Sequence, residues 1–269
     1  MVVKLAGILE VSSLSCEFGG IRAVDEVSFG VEAGSITGVI GPNGAGKTVL
    51  LNLINGIYRP TRGVIQIDGQ ATNRLRPDQI ARLGVARTFQ STEQFKEFRA
   101  IDYVMLGGFF QQCRSVFACI FGLAKVAKRE KEEARRAFAA LDRFGLGDVA
   151  HARLAELPYG MQKQVDLARA IAAEPRLLLL DEPTSGTTSI ERAAIANVLA
   201  DIGSSDRTLL IVDHDVRFLA GQCAHLVAMS NGRKIAEGVV ADVLADRGVR
   251  EAYLGISEAA EVAENEEKA

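Results

Sequence analysis

The sequence predicts an α/β fold with a mostly parallel sheet. Two apolar segments, residues 177–180 and 209–212, flank a helical pattern over residues 190–202. A third apolar segment, residues 36–40, leads through a glycine-rich loop into a helical pattern over residues 48–54. Strands that alternate with helices along the chain form mostly parallel sheets, so we expect these segments to build one α/β core.

Length and composition limit the function classes. The chain has 269 residues, of which 48% are hydrophobic, and this is enough for a core without disulfides. The net charge of −3 and the scattered basic residues argue against a nucleic-acid-binding protein. Neither a signal-peptide pattern nor an apolar run of about 18 residues is found, so we expect any membrane role to be peripheral. The cysteines form no C-x-x-C pair, and reduced thiols are expected at Cys16, Cys113, Cys119 and Cys223.

The first third of the chain has the pattern of short strands and turns. Residues 8–11 and 23–29 partly alternate between apolar and polar side chains, and Gly19-Gly20 separates them. Residues 64–67 form a further strand pattern before the turn dipeptide Asp68-Gly69. These segments predict an N-terminal antiparallel β subdomain.

The middle of the chain changes to charged, alanine-rich helix. A stripe between charged residues consists of Val126, Ala134, Phe138 and Leu141. This texture predicts a helical subdomain over about residues 91–160, inserted into the α/β core.

The C-terminal part predicts a hairpin and a last helix. Strand patterns over residues 226–229 and 234–236 flank Asn231-Gly232, and a helical pattern covers residues 241–254. Residues 257–269 are acidic with little apolar content, so a disordered tail is expected after a single domain of residues 1–256.

The glycine-rich loop carries the most specific motif. It matches G-x-x-x-x-G-K-[ST] between a strand and a helix, with the residues Gly41, Pro42, Asn43, Gly44, Ala45, Gly46, Lys47 and Thr48. Glycines let backbone amides surround a polyphosphate at the positive end of a helix. Lys47 is expected to reach the β- and γ-phosphates, and the Thr48 hydroxyl to ligate Mg²⁺. The motif therefore predicts ATP and Mg²⁺ as ligands.

Two carboxylates follow the apolar segment 177–180. Ligands of open α/β sheets bind where the strands end, which is where Asp181 and Glu182 stand. We expect Asp181 to hold Mg²⁺ and Glu182 to polarise the water that attacks the γ-phosphorus.

A further motif precedes a helical pattern that starts near residue 160. Together with the phosphate loop and the Asp181-Glu182 strand, the segment Leu157-Pro158-Tyr159-Gly160-Met161-Gln162 resembles the signature of ATP-binding cassette (ABC) ATPases. The resemblance extends over about residues 9–255, and within the family it is greatest to ATP-binding subunits of branched-chain amino-acid importers. Segments that carry this narrower similarity are Phe18-Gly19-Gly20-Ile21-Arg22-Ala23-Val24, Val85-Ala86-Arg87-Thr88-Phe89-Gln90 and Ala252-Tyr253-Leu254-Gly255. An ABC-ATPase-type core is implied.

The resemblance implies roles for three further residues. Phe18 stands where ABC proteins place an aromatic that stacks on adenine, a role that needs only a flat ring. Gln90 is similar to the glutamine that contacts Mg²⁺ and the attacking water and links the core to the membrane partner. His214 resembles the switch histidine that bonds the γ-phosphate.

The resemblance also implies a composite site. Tyr159 and Gly160 would contact the ATP held by a facing cassette, so that two subunits pair head to tail around two ATP molecules. Pro158 replaces a frequent serine, and Thr187-Thr188-Ser189 replaces the usual leucine, Asp or Asn, and proline. Because these departures weaken only one side of the pair, we expect a heterodimer with a second cassette in preference to a homodimer.

As an importer subunit, the chain would lie at the cytoplasmic face of the inner membrane. Its partners would be transmembrane permease subunits and, indirectly, an extracytoplasmic solute-binding protein, with no nucleic acid. The aromatics Phe89, Phe95, Phe98 and Tyr103 are expected to form the groove for a permease helix. Two alternatives are a soluble ABC ATPase that acts on nucleic acid or ribosomes and a nucleotide-gated module without hydrolysis.

Overall fold

The computed structural model describes residues 7–89, 92–112, 123–205 and 207–253. The chain divides into two units, one built from residues up to Leu75 and from Leu210 onward, the other from Arg76–Leu209.

The strands are β1 (Gly7–Phe18), β2 (Ile21–Glu32), β3 (Ile36–Ile40), β4 (Arg62–Ile67), β5 (Gln70–Ala71), β6 (Val85–Arg87), β7 (Leu177–Asp181), β8 (Thr208–Val212), β9 (His225–Ser230) and β10 (Arg233–Val239). The α-helices are α1 (Lys47–Ile54), α2 (Pro77–Arg82), α3 (Ala100–Gln112), α4 (Leu123–Asp142), α5 (Tyr159–Ala172), α6 (Ser189–Gly203), α7 (Val216–Gln222) and α8 (Val240–Ala245).

An antiparallel sheet in the first unit confirms the predicted N-terminal β structure. Its strand order is β2-β1-β4-β5, and the β1–β2 hairpin closes at Phe18 opposite Ile21. The two turn glycines, Gly19 and Gly20, both have positive φ. Both strands are longer than the sequence pattern predicts, because the pairing continues through several register shifts.

A second set of strands in the first unit places the glycine-rich loop. Here the order is β10-β9-β3-β8, with β3 parallel to β9 and β9 antiparallel to β10. The predicted hairpin is confirmed, and its turn residues Asn231 and Gly232 have φ of 48° and 78°, as a tight hairpin turn requires. β3 ends directly before the loop, and α1 starts where the loop ends.

In the second unit, β6 and β7 pair in parallel, and all five residues of β7 are buried. A continuous apolar strand of this kind is typical of a parallel sheet that is covered on both faces. Helices α3, α4 and α5 pack against one another. α6 runs over Ser189–Gly203, close to the predicted residues 190–202.

The predicted apolar stripe of α4 is partly wrong. Phe138 is 45% exposed, whereas Ala137, Ala140 and Leu141 are buried. The small alanines allow close packing, so the buried face is rotated away from the phenylalanine. Val126 lies in a part of α4 whose side chains are not described.

Several other expectations lie outside the described residues or extend beyond them. Cys113, Cys119 and residues 257–269 are not described, while Cys16 and Cys223 are free and buried, as expected. Residues 247–253 are helical and follow α8 after a break at Asp246, so the single predicted C-terminal helix is two segments. Among the described helices, none combines the length and the apolar character needed to cross a bilayer.

Candidate functional site

The glycine-rich loop of the first unit has the backbone of a phosphate-binding loop. Gly46 caps α1 with φ of 92°, a left-handed conformation that favours glycine. A Cβ at this position would lie 2.2 Å from the carbonyl oxygen of Ala23, so only glycine fits. The loop therefore leads tightly into α1, whose first amides have no partner within the helix itself, as in helices that bind anions at this end.

The side chain of Lys47 folds back over this loop. Its Nζ donates hydrogen bonds to the carbonyl oxygens of Gly41 at 2.7 Å and Pro42 at 2.8 Å, and the residue is buried. The loop residues Asn43 and Gly44 are exposed, and Thr48 is half-buried at the first turn of α1. The ammonium group is thus held against the loop by the loop's own carbonyl oxygens.

Phe18 and His214 also belong to the first unit, and both are accessible. Phe18 ends β1, is 44% exposed and contacts Tyr58 edge to face, with 5.1 Å between ring centroids. His214 follows β8, and 56% of its side chain is exposed. Its Nδ1 lies 3.6 Å from the carboxylate of the buried Asp213. Neither residue is part of a packed core, so both side chains are free to meet a ligand.

The buried carboxylate of Asp25 is linked to the phosphate loop through the turn residue Gly232. Asp25 accepts hydrogen bonds from Arg233 at 2.8 Å and from Arg22 at 3.2 Å, and its own N–H donates to the carbonyl of Gly232. The N–H of Gly232 in turn donates to the carbonyl of Ala45 in the phosphate loop. The bond from Arg233 is the main reason why the pKa of Asp25 is lowered, and burial opposes it. The sequence analysis did not single out this carboxylate.

Asp181 ends β7 in the second unit. Its Oδ2 accepts a hydrogen bond from Arg87 at 2.9 Å, and its N–H donates to the Thr88 hydroxyl at 3.1 Å. Its other carboxylate oxygen, Oδ1, is buried and has no hydrogen-bond partner among the residues that the structure describes. A buried carboxylate oxygen without a partner fits a ligand of Mg²⁺, because hard cations prefer oxygen donors.

Glu182 follows Asp181 in an unusual backbone conformation. Its φ is +47°, in the left-handed region that residues other than glycine seldom adopt. Its carbonyl oxygen accepts hydrogen bonds from Lys163 Nζ at 3.0 Å and from the N–H of Ser185 at 3.2 Å. Strained backbone of this kind is concentrated at functional sites.

The signature-like segment forms the start of α5. Pro158 precedes the helix with φ of −53°, and Tyr159 is 52% exposed. Gly160 is buried, and a Cβ there would lie 2.1 Å from the carboxylate of Glu191. The absence of a side chain at Gly160 therefore lets the start of α6 approach the start of α5.

The unusual segment after Gly186 has a structural explanation. Thr188 is the N-cap of α6: its hydroxyl accepts a hydrogen bond from the N–H of Glu191, and the Glu191 carboxylate accepts one from the N–H of Thr188. This reciprocal pair is a capping box. Asp, Asn and Thr can all act as N-caps, so the threonine conserves the cap where the family usually has Asp or Asn.

A buried polar network that the sequence analysis missed joins α5 to the segment that leads to Gln90. Asp166 accepts hydrogen bonds from Arg169 at 2.8 Å, from the N–H of Phe89 at 2.7 Å and from the Tyr103 hydroxyl at 2.7 Å. Arg169 also donates to the carbonyl of Arg87 at 2.6 Å and lies 4.2 Å from the centroid of the Phe89 ring. Burial, followed by the Asp166 charge, raises the pKa of Tyr103, so the hydroxyl remains a donor.

One signal in the sequence could have revealed this network: Asp166 and Arg169 lie three residues apart in a predicted apolar helix. Gln90 itself lies outside the described residues. Thr92, on the far side of it, donates a hydrogen bond to the Gln162 side chain at 3.0 Å. Both flanks of Gln90 are therefore tied to α5.

The predicted aromatic cluster exists, but it is not a uniform surface. Phe95 contacts Phe89, Phe98 and Tyr103, with centroid distances of 6.1, 5.8 and 5.0 Å. Phe89 and Phe98 are more than 40% exposed, whereas Tyr103 is completely buried. The accessible rings of the cluster are therefore Phe89 and Phe98, with Phe95 half-buried between them, and Tyr103 belongs to the buried network.

The fold, the phosphate loop and the paired carboxylates define a nucleotide-binding protein of the P-loop class. Comparison with protein families gives the particular family. A model described as ABC transporter matches residues 24–185, and one described as branched-chain amino acid ATP-binding cassette transporter matches residues 233–259.

Related proteins agree with this result. The chain is 34% identical over 249 residues to the high-affinity branched-chain amino acid transport ATP-binding protein BraF of Pseudomonas aeruginosa, with 92% of this chain and 98% of BraF covered. It is 32% identical to the corresponding LivG protein of Salmonella typhimurium, at the same coverage of both chains. It is also 32% identical to the probable LivG protein of Archaeoglobus fulgidus, with 92% and 95% of the two chains covered.

Solved structures show the same fold. A nucleotide-free ATP-binding cassette of an ABC transporter has a TM-score of 0.80 and 29% identity, with 92% of this chain and 98% of that chain covered. A cassette in its ADP conformation gives the same TM-score at 30% identity, with 93% and 99% covered. The chain belongs to the ABC transporter family of ATP-binding cassettes. It is a transport ATPase, which confirms the fold and the activity expected from the sequence.

Proposed function

We propose that this chain hydrolyses ATP to drive the uptake of branched-chain or other amino acids, or of a related small polar solute, from the cytoplasmic face of the inner membrane. The phosphate loop carries the proposal, because Gly46 and Lys47 arrange amide and ammonium donors where a triphosphate would lie. The printed names of BraF and LivG support amino acids as the solute.

ATP would be held by the first unit. The Phe18 ring would stack on adenine, since nearly half of the residue is exposed at the end of β1. The phosphates would lie along the loop, residues 41–48, where Lys47 would exchange its bonds to loop carbonyls for bonds to phosphate oxygens. The exposed His214 would bond the γ-phosphate.

Mg²⁺ would be ligated by Asp181, whose Oδ1 has no partner within the described part of the chain, together with Thr48 and Gln90. When bound, the ion supplies charge neutralisation for the phosphates. Glu182 would accept a proton from the attacking water. Asp181 is buried at the end of β7, whereas Glu182 follows it with φ of +47° and is less buried, and the two neighbouring carboxylates would take different roles.

The catalytic site would be completed by a second cassette. Tyr159 and Gly160 stand at the start of α5, where backbone amides would contact ATP held by a facing subunit. The absence of a serine at Pro158 removes one hydroxyl from that contact. We therefore propose a heterodimer in preference to a homodimer, with the second cassette supplying the stronger signature.

The transmembrane partner would dock on the groove of Phe89, Phe95 and Phe98. Two of these rings are more than 40% exposed, and the network of Asp166 and Arg169 supports the segment beneath them. Within a single ABC domain of residues 1–256, this groove would belong to the helical subdomain of about residues 91–160. A solute-binding protein would act indirectly, through the permease.

Purification of the native complex tests this proposal. We expect the chain to co-purify with permease subunits, a second cassette and a solute-binding protein, and the reconstituted complex to take up a branched-chain amino acid only with ATP. Cysteines placed at positions 95 and 98 should cross-link to a permease subunit. Co-purification with ribosomes or nucleic acid instead, or a complex with two copies of this chain and no second cassette, would contradict the corresponding part of the proposal.

A further inference from the structure

Two contacts join the first turn of α5 to the segment after β7. Lys163 Nζ donates a hydrogen bond of 3.0 Å to the carbonyl oxygen of Glu182. The ring of Tyr159 lies against Gly186, where a Cβ would be 2.7 Å from the ring. Tyr159 and Lys163 are four residues apart and share a face of the helix, and the ammonium lies 5.8 Å from the ring centroid.

The bond from Lys163 falls on a strained peptide. Glu182 has φ of +47°, and such a conformation persists away from glycine only where the surroundings hold it. The N–H of Ser185 is the second donor to the Glu182 carbonyl, at 3.2 Å, and it belongs to the same turn. Lys163 therefore connects this turn to another element of the fold, α5.

The Glu182 carbonyl and side chain share one Cα, so a donor that holds the carbonyl restrains the backbone from which the side chain projects. A charged donor forms a stronger hydrogen bond than a neutral one, so the ammonium is well suited to hold the peptide. A change in the position of the first turn of α5 would be transmitted through Lys163 to Glu182.

We propose that Lys163 is a positioning residue for Glu182 and couples the signature-like turn of α5 to this chain's own general base. The inference rests on the proposed function, in which Gly160 contacts the ATP of the facing subunit while Glu182 acts on the ATP held by this chain. When α5 closes onto the ATP of the facing subunit, Glu182 would in this way be aligned with the ATP held by this chain. Both sites would then hydrolyse ATP only in the closed dimer of cassettes.

The test measures ATP turnover by the purified complex with Lys163→Gln, Lys163→Arg and, as a matched control, Lys131→Gln on the exposed face of α4. Lys163→Gln should lower kcat by about 10- to 100-fold, since small misplacements of catalytic groups have effects of this size, and should leave KM for ATP within about 2-fold. Lys163→Arg should restore most of the rate, because the guanidinium can still reach the carbonyl. Lys131→Gln should behave as wild type.

A double mutant separates positioning from general damage. In a Glu182→Gln background, Lys163→Gln should have no further effect on the residual rate, because the group that it positions is already lost. Unchanged kcat in Lys163→Gln, an additive loss in the double mutant, or a parallel loss of ATP affinity and thermal stability that Arg does not restore would overturn the inference. If Glu182→Gln alone leaves turnover unchanged, the general-base role in the proposed function fails as well.

Discussion

The guanidinium of Arg87 donates a hydrogen bond of 2.9 Å to Oδ2 of Asp181, and the two side chains are only 10% and 1% exposed. The pair joins the ends of the parallel strands β6 and β7. Asp181 thus has one oxygen bonded to a guanidinium and one that no described residue contacts by a hydrogen bond. This arrangement explains how a carboxylate remains buried at the end of an apolar strand before any cation binds.

Removal of Arg87 should destabilise the fold. Arg87→Met leaves the Asp181 charge buried without its cation, and the loss of one partner of a buried pair costs about 3–5 kcal/mol. Urea denaturation measures the free energy of unfolding. The control is Arg82→Met, which removes an exposed pair with Asp78 and should cost less than about 1 kcal/mol. Equal losses of unfolding free energy in the two variants would show that the buried pair of Arg87 and Asp181 stabilises the fold no more than an exposed pair does.

Lys47→Ala should abolish tight ATP binding while the loop remains folded. Charge-assisted hydrogen bonds contribute about 1.5–3 kcal/mol each, so the loss of two such bonds to phosphate should weaken affinity by about 100-fold or more. Isothermal titration calorimetry with Mg-ATP measures the change, and Lys131→Ala is the control. Affinity near that of wild type would rule out a phosphate-binding role for Lys47.

Gly160→Ala should act through Glu191. The new Cβ would lie 2.1 Å from the Glu191 carboxylate, which must then leave its capping position on Thr188. Loss of an N-cap interaction costs about 1 kcal/mol. In a Glu191→Ala background this cost is absent, so Gly160→Ala should be less unfavourable there by about 1 kcal/mol in urea denaturation. Additive effects of the two changes would mean that the two residues do not meet.

Asp25 should make stability depend on acid pH. Its pKa is lowered, chiefly by the hydrogen bond from Arg233, below the ordinary value of 3.8. A lowered folded-state pKa gives stability that is present above the unfolded value and is lost as the pH falls through the folded value. The difference in unfolding free energy between wild type and Asp25→Asn should therefore shrink below about pH 4, and Arg233→Met should weaken this dependence, with Arg22 left as the remaining partner. A difference that is constant with pH would refute this assignment.

Features that depend only on residues adjacent in sequence were predictable. The phosphate loop, the Asn231-Gly232 hairpin and the buried leucines of β7 each require a local conformation or environment that few residue types satisfy. The orientation of α4 was not predictable, because Phe138 fits the apolar period while the alanines decide the packing. Arg87 was missed because its partner, Asp181, is distant in sequence. The i,i+3 pair of Asp166 and Arg169 was visible in the sequence, but the bonds of Asp166 to Phe89 and Tyr103 come from distant residues.

The central claim is that this chain hydrolyses ATP with Glu182 as the general base, and one variant tests it most directly. Glu182→Gln retains the shape of the side chain but removes the proton acceptor. Steady-state ATP hydrolysis by the purified complex should fall by about 10²- to 10⁴-fold while Mg-ATP binding, measured by calorimetry, stays unchanged. Turnover equal to that of wild type, with ATP still bound, would contradict the account.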